Sequence, residues 1–460
     1  MTLDKVLDRI DADLDASLER LFAFLRIPSI STDPAHAGDC RTAAAHLSAD
    51  LASLGLSASL QETGGHPVVL ARSAEEAGAK RVLFYGHYDV QPVDPVAQWD
   101  APPFEPRIAT LPDGRKAILG RGSSDDKGQV MTFVEACRAW IAVTGSLPVP
   151  VTLMIEGEEE CGSKSLPKWL AANKASLAAD VALVCDTSMW DAATPAVTTA
   201  LRGLVYDEVT IQGPSRDLHS GLFGGPARNP IRVLTKILGS LWDDDGRITL
   251  PGFYDGIEDP PADVLAAWRK LDVTAENYLG PVGLGEPAGE RGRSIVEQLF
   301  SRPACDINGI FGGYTGAGSK TVIPAEASAK ISFRLVKGQD PDKVRDAFRA
   351  RVRELLPADC RALFTDHTGA PAVGLAWDLP QLSAAQKALT AEWGREALLI
   401  GSGASIPIVA DFKQTLGLDS LLIGFALADD RIHSPNEKYD LLSFHKGIRS
   451  WARILAALAG

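Results

Sequence analysis

Short apolar runs that each end in a polar, ligand-type residue are the feature that most constrains how this chain can fold. The clearest is Arg81-Val82-Leu83-Phe84-Tyr85-Gly86-His87-Tyr88-Asp89-Val90-Gln91-Pro92. Its β-branched and aromatic start predicts a buried strand that breaks at Gly86. Residues two apart on a strand share a face, so His87 and Asp89 can act together. A metal-bound imidazole gives its second ring hydrogen to a carboxylate or a carbonyl, and His-x-Asp fits a ligand with an orienting neighbour. The pattern recurs. A strand over 150–156 runs into Glu156-Gly157-Glu158-Glu159-Glu160, and one over 181–185 runs into Asp186. Ile118-Leu119 opens the loop Gly120-Arg121-Gly122-Ser123-Ser124-Asp125-Asp126-Lys127-Gly128, and a strand over 420–426 precedes His433. Further strands are expected near 57–62 and 67–72, with helices over 2–26, 40–54 and 128–143. Strand–helix alternation of this kind predicts an α/β layer with a largely parallel sheet and ligands at its strand ends.

The texture changes near residue 201. Leu204–Gln212 alternates as a strand, Pro230–Leu241 is a helix, and 243–318 is rich in Pro and Gly with little period. Ala329–Val336 alternates again, Pro341–Leu356 is helical, and Leu363-Phe364 begins a last strand. From about 377 the first texture returns, with helices over 383–393, 406–416 and 441–459 around strands 396–400 and 420–426. The expected organisation is a discontinuous α/β domain, 1–200 with 377–460, carrying an inserted α+β domain at 201–376.

Composition narrows the function. A net charge of −13 argues against nucleic acid and anionic membranes as partners. No apolar run is long enough to span a bilayer, and the amino terminus lacks a signal-peptide pattern. Six scattered cysteines without a Cys-x-x-Cys pair fit reduced thiols in a cytoplasm. That leaves imidazoles and carboxylates for metal or acid–base work.

Those residues form a constellation: His87, Asp125, Glu159, Glu160, Asp186 and His433, all but the last following early strands of one sheet. Three acids in a row can be a solvated charge run, and Asp125-Asp126 can be the favoured acids of a helix start. Chance would have to place a ligand-type residue at four separate strand ends for those readings to hold together. Oxygen and nitrogen donors without thiolates suit zinc, manganese or cobalt. A shared carboxylate can bridge two ions, and the adjacent Glu159 and Glu160 would divide metal binding and proton transfer between them.

His87-x-Asp89, Gly120-Arg121-Gly122 with Asp125-Asp126-Lys127-Gly128, Glu159-Glu160 before Cys161-Gly162-Ser163, Asp186, and His433-Ser434-x-Asn436-Glu437 together resemble the M20 family of di-zinc peptidases. Trp99, Pro103-Phe104-x-Pro106 and Asp217-Leu218-His219-Ser220-Gly221 resemble its cytosolic non-specific dipeptidase and carnosinase branch. The resemblance covers nearly the whole chain. It implies a three-layer αβα catalytic domain of zinc-exopeptidase type with an inserted lid and dimerisation domain, hence a homodimer. It implies two divalent ions per chain, zinc first and manganese or cobalt as alternatives. His87, Asp125 and Asp186 would hold one ion; Asp125, Glu160 and His433 would hold the other. Glu159 would be the general base acting on a water nucleophile, and Asp89 would orient His87. The Asp125–Asp126 peptide would be cis. His219 would reach a partner's site and stabilise the oxyanion, and Arg334 would bind the substrate's terminal carboxylate. Thr321 and Ser405 would be further substrate contacts. The guanidinium of Arg334 has an independent rationale, because it can grip a carboxylate with two parallel hydrogen bonds.

The segment Gly313-Tyr314-Thr315-Gly316-Ala317-Gly318-Ser319-Lys320-Thr321 approaches a phosphate-binding loop. Ser319 breaks the required spacing and Pro324 stops a following helix, so no nucleotide site is expected. The leading expectation is a metallo-exopeptidase acting on dipeptides or short peptides. The alternatives are a deacylase of N-acyl amino acids on the same fold, and a non-catalytic peptide-binding relative.

Overall fold

A computed structural model describes residues 2–74, 79–367, 369–403 and 406–460. Contacts divide the chain into two compact units: Met1–Thr199 with Leu375–Ile400 and Asp411–Gly460, and Ala200–Gly374 with Gly401–Ala410.

The first unit opens with helices α1 (Thr2–Ala12), α2 (Leu14–Leu25) and α3 (Ala37–Ser53). Strands β1 (Ser57–Gln61), β2 (Val68–Arg72), β3 (Val82–His87), β4 (Arg107–Thr110) and β5 (Lys116–Leu119) follow, then α4 (Lys127–Thr144). Next come β6 (Val151–Glu156), α5 (Leu166–Asn173), β7 (Val181–Val184) and β8 (Ala196–Leu201). The second unit contains β9 (Gly203–Gln212), β10 (Leu218–His219), α6 (Ser220–Phe223), α7 (Pro230–Gly239), α8 (Ala262–Trp268), α9 (Ala275–Tyr278) and α10 (Ile295–Phe300). It continues with β11 (Ala304–Gly312), β12 (Val322–Ile323), β13 (Glu326–Leu335), α11 (Pro341–Leu355), β14 (Arg361–Asp366) and β15 (Val373–Gly374). The chain closes with α12 (Pro380–Trp393), β16 (Leu398–Ser402), α13 (Pro407–Asp411), β17 (Ser420–Leu422), β18 (Lys438–Asp440) and α14 (Leu441–Leu458).

The first unit's central sheet runs β1-β2-β6-β3-β7-β17-β8. Its middle is parallel, β6 with β3, β3 with β7 and β7 with β17. The sheet is mixed rather than largely parallel, because the β1–β2 hairpin turns the chain back and β2 then meets β6 antiparallel. Every residue of β3 is buried, as a strand covered on both faces requires. Phe84 stacks on Phe133 of α4, and the indole of Trp451 from α14 meets both rings edge-on. This aromatic cluster fixes the helical layer against β3 and thereby the direction in which His87 leaves the sheet.

Other departures have local causes. The apolar stripe over 2–26 is two helices that meet at Asp13; Ser17 and Arg20 on α2 bond Glu135 of α4 and set the second helix's course. The expected strand 420–426 keeps its ladder only over 420–422. Beyond it Phe425 is buried with its amide donating to the side chain of Gln129, and Ala426 makes only an isolated bridge to Ser188. Asp125 follows β5, and β5 lies in a separate three-stranded sheet, β18-β5-β4, not in the central one. The segment 243–318 contains α8, α9, α10 and the edge strand β11, whose bulge at Ile307/Gly309 and exposed residues blur its alternation.

The second unit's four-stranded antiparallel sheet runs β11-β13-β9-β14. Ala329, Ile331, Phe333 and Leu335 share a buried face, and Val344, Phe348 and Val352 of α11 are buried in the same core.

Candidate metal centre

His87 is the last residue of β3, where the ladder ends, and it is fully buried. Its Nδ1 donates to the backbone carbonyl of Asp89 at 3.1 Å, with the Asp89 carboxylate 3.3 Å away. That leaves Nε2, which lies 3.1 Å from Oδ1 of Asp125. Asp89 has a second task. Its Oδ2 accepts from Ser31 Oγ at 2.6 Å and from the amide of Glu160 at 3.0 Å, so one carboxylate ties β3 to the loop after β6.

Asp125 sits at the entry to α4, and its peptide bond to Asp126 is cis, as the resemblance implied. The Nε2 of His433 lies 2.9 Å from Asp125 Oδ2 and 3.3 Å from Glu160 Oε2. His433 adopts a positive φ of 62° in the loop before β18, and its ring is half exposed. Asp186 follows β7 at the neighbouring strand end. Two groups of ligand atoms result, each within 4.8 Å: His87, Asp125 and Asp186, and Asp125, Glu160 and His433. Asp125 belongs to both.

The electrostatics favour cations in this cluster. Burial and the carboxylates of Asp125 and Asp126 push the Asp186 carboxyl well above the usual range. Burial, then the like charges of Glu160 and Asp125, raises Glu159 also, although His87 opposes this. Burial alone would neutralise His87, yet hydrogen bonds to Asp125 and Asp89 raise it well above its ordinary value. Hydrogen bonds to Asp125 and Glu160 raise His433 to about 10. Carboxyls raised by burial and like charge, and imidazoles raised by neighbouring carboxylates, both report a site rich in negative charge. Oxygen and nitrogen donors with no thiolate among them fit hard or borderline divalent ions.

Some contributors carry no signal in the sequence. Gln91 donates to Glu160 Oε2 at 2.6 Å and fixes that carboxylate. Ser31 holds the Asp89 carboxylate in the same way, and neither Gln91 nor Ser31 belongs to a periodic pattern. Glu159 is half-buried beside Glu160 in a single helical turn.

Of the remaining predicted residues, His219, Thr321 and Arg334 lie in the second unit. His219 is exposed on β10, opposite Val322 of β12, and its Nδ1 accepts from the amide of Gly221 at 3.0 Å. The amide of Ser220 donates to the carbonyl of Thr321 at 3.1 Å, so His219 and Thr321 are brought together. Arg334 is half-buried on β13, between Leu204 of β9 and Ala304 of β11. Ser405 lies outside the described residues. Residues 313–321 form an exposed loop with no helix after it, unlike a phosphate-binding loop.

An α/β domain that gathers two imidazoles and two further carboxylates around one shared aspartate has the donor set of a divalent-metal centre. The chain belongs to Peptidase family M20/M25/M40, whose family model matches residues 83–457. The Cys-Gly metallodipeptidase dug1 of Schizosaccharomyces pombe is 30% identical over 475 residues, covering 100% of this chain and 99% of the relative. The crystal structure of human carnosine dipeptidase 1 superposes with a TM-score of 0.73 at 28% identity, covering 100% of this chain and 99% of that one. The M20 family metallo-carboxypeptidase Sso-CP2 of Sulfolobus solfataricus gives 0.75 at 31% identity, over 96% and 99%. The chain is therefore a metallopeptidase of the hydrolase class that uses divalent metal ions.

Proposed function

We propose that this chain hydrolyses dipeptides or short peptides from a chain end with two metal ions, zinc first and manganese or cobalt as alternatives. One observation carries the reading: the two oxygens of Asp125 face separate imidazoles, Oδ1 toward His87 at 3.1 Å and Oδ2 toward His433 at 2.9 Å. His87, Asp125 and Asp186 would hold one ion, and Asp125, Glu160 and His433 the other. When bound, such ions polarise a carbonyl and acidify water.

The protein's own groups do the rest. Glu159, half-buried with a raised carboxyl, takes a proton from the attacking water and returns it to the leaving amine. Asp89 and Gln91 orient His87 and Glu160. The amide of Gly221 occupies Nδ1 of His219, which in a neutral ring leaves the proton on Nε2 as a donor for an oxyanion. Arg334 binds the substrate's terminal carboxylate, with Thr321 and Ser405 as further substrate contacts. Residues 201–376 act as lid and dimerisation domain, which makes the enzyme a homodimer and lets His219 serve the partner's site. The names of dug1 and carnosine dipeptidase 1 support a dipeptide substrate. Six free cysteines support a cytoplasmic setting. Among the described residues no helix is long and apolar enough to cross a membrane.

The test is a substrate panel with zinc, manganese and cobalt in turn. Dipeptides should be cleaved faster than N-acetyl or N-succinyl amino acids. Preference for the acylated compounds would make the chain a deacylase, and no turnover with two ions bound would make it a peptide-binding relative.

A further inference from the structure

Glu437 is fully buried, and its carboxylate accepts four hydrogen bonds. Oε2 receives Nη1 of Arg121 at 2.8 Å and the amide of Gly122 at 2.9 Å. Oε1 receives the amides of Ser124 at 2.9 Å and Asp125 at 3.0 Å. Three of the four donors are therefore backbone groups of the loop that presents Asp125, and one is the amide of Asp125 itself. Backbone amides gathered on one anion form a concave cradle whose geometry the anion fixes. Charge assistance makes such bonds short and strong.

The same residue is tied to the other ligand loop. Glu437 follows His433 by four residues, and its carbonyl accepts from the amide of Gly120 at 3.1 Å. Immediately after it, Lys438 of β18 pairs with Leu119 of β5. A second brace runs parallel to this, from Ser124 Oγ to Asp430 Oδ2 at 2.8 Å. The loops bearing Asp125 and His433 thus meet through Glu437.

We infer that Glu437 is a positioning residue for the metal cluster, setting the Asp125 backbone and its distance from the His433 imidazole. The inference rests on the ligand assignment proposed above. The competing view is a buried ion pair with Arg121 that serves the fold alone. An ion pair needs only the guanidinium, whereas here three ligand-loop amides converge on the same carboxylate.

The test uses Glu437→Gln and Glu437→Asp in the full chain. In the first, one amide NH₂ must face donors, either Arg121 and Gly122 or Ser124 and Asp125. In the second, charge is kept but the carboxylate is one carbon short of its four partners. Both variants should fold, as read by circular dichroism and cooperative melting. Chelator competition should show metal binding about 10–100-fold weaker than in the unchanged protein, the usual effect of losing a partner of a ligand. The visible spectrum of the cobalt-loaded protein should change, and kcat should fall with KM held. Unchanged affinity and spectrum in both variants overturn the inference. If the unchanged protein takes up no ions, the ligand assignment fails first, and this inference with it. If neither variant folds, with metal or without, Glu437 is a folding residue and the inference is overturned.

Discussion

Asp125 gives one oxygen to each imidazole, and that division predicts what its loss does. Asp125→Ala removes a donor from both groups, so elemental analysis should find the ions per chain falling from two to none. A variant that still holds two would show that the carboxylate bridges nothing. Glu159→Gln keeps the shape of its side chain but cannot accept a proton. Its kcat should fall by roughly 10²–10⁴ or more, the range for a lost general base, with metal content near normal. If Glu159→Gln loses metal while Glu160→Gln keeps it, the two roles are exchanged. At this scale residue types were readable, since scarce histidines and clustered acids stand out in any order. Their partners were not. The His87 ring hydrogen goes to the carbonyl of Asp89, and a main-chain acceptor leaves no mark in a sequence.

Among the elements, α10 shows how local chemistry survives inside a stretch with little period. Ser294 accepts from the amide of Glu297, and Glu297 accepts from the amide of Ser294, a reciprocal cap that starts the helix. Burial alone would raise the Glu297 carboxyl, but hydrogen bonds from Ser294 and the neighbouring Arg293 bring it below its ordinary value. A carboxyl depressed in the folded state contributes stability above its unfolded pKa, and that contribution disappears as pH falls through the folded value. Glu297→Gln should therefore remove an acid-sensitive part of stability, with a loss near neutral pH of about 1 kcal/mol, as for other caps. Melting temperatures of the two proteins should converge as pH drops; a constant gap would show that the carboxylate charge is immaterial. The signature Ser-x-x-Glu is visible at 294–297 to a reader who looks for caps instead of periods. The edge strand β11 is less visible, because exposed edges need no alternating apolar face.

For the whole molecule, the proposal that His219 serves a partner subunit predicts a complementation result. His219→Ala and Glu159→Ala should each be nearly inactive, the first because an oxyanion donor is worth about 2.7–4 kcal/mol. In a purified mixed dimer, the chain with His219→Ala keeps its own Glu159 and borrows a sound His219. One site is then complete and the other lacks both groups. Activity should return to about half of the unchanged dimer, by the two-fold symmetry of a closed pair. If activity stays at the single-variant floor, His219 serves its own chain.

The α/β class, the ligand-type residues after successive strands, and the adjacency of Glu159 and Glu160 were legible along the chain. These are local facts, carried by periodicity and by neighbours along the chain. Tertiary structure decided how they meet. It turned β2 antiparallel to β6, placed β5 in a sheet of its own, and ended the β17 ladder at Leu422. It also brought Glu437 to Arg121 across 316 residues and Gln91 to Glu160 across 69. A hydrogen bond between distant segments has no period and no fixed spacing. It exists only once the core has packed and brought those donors and acceptors within reach of each other.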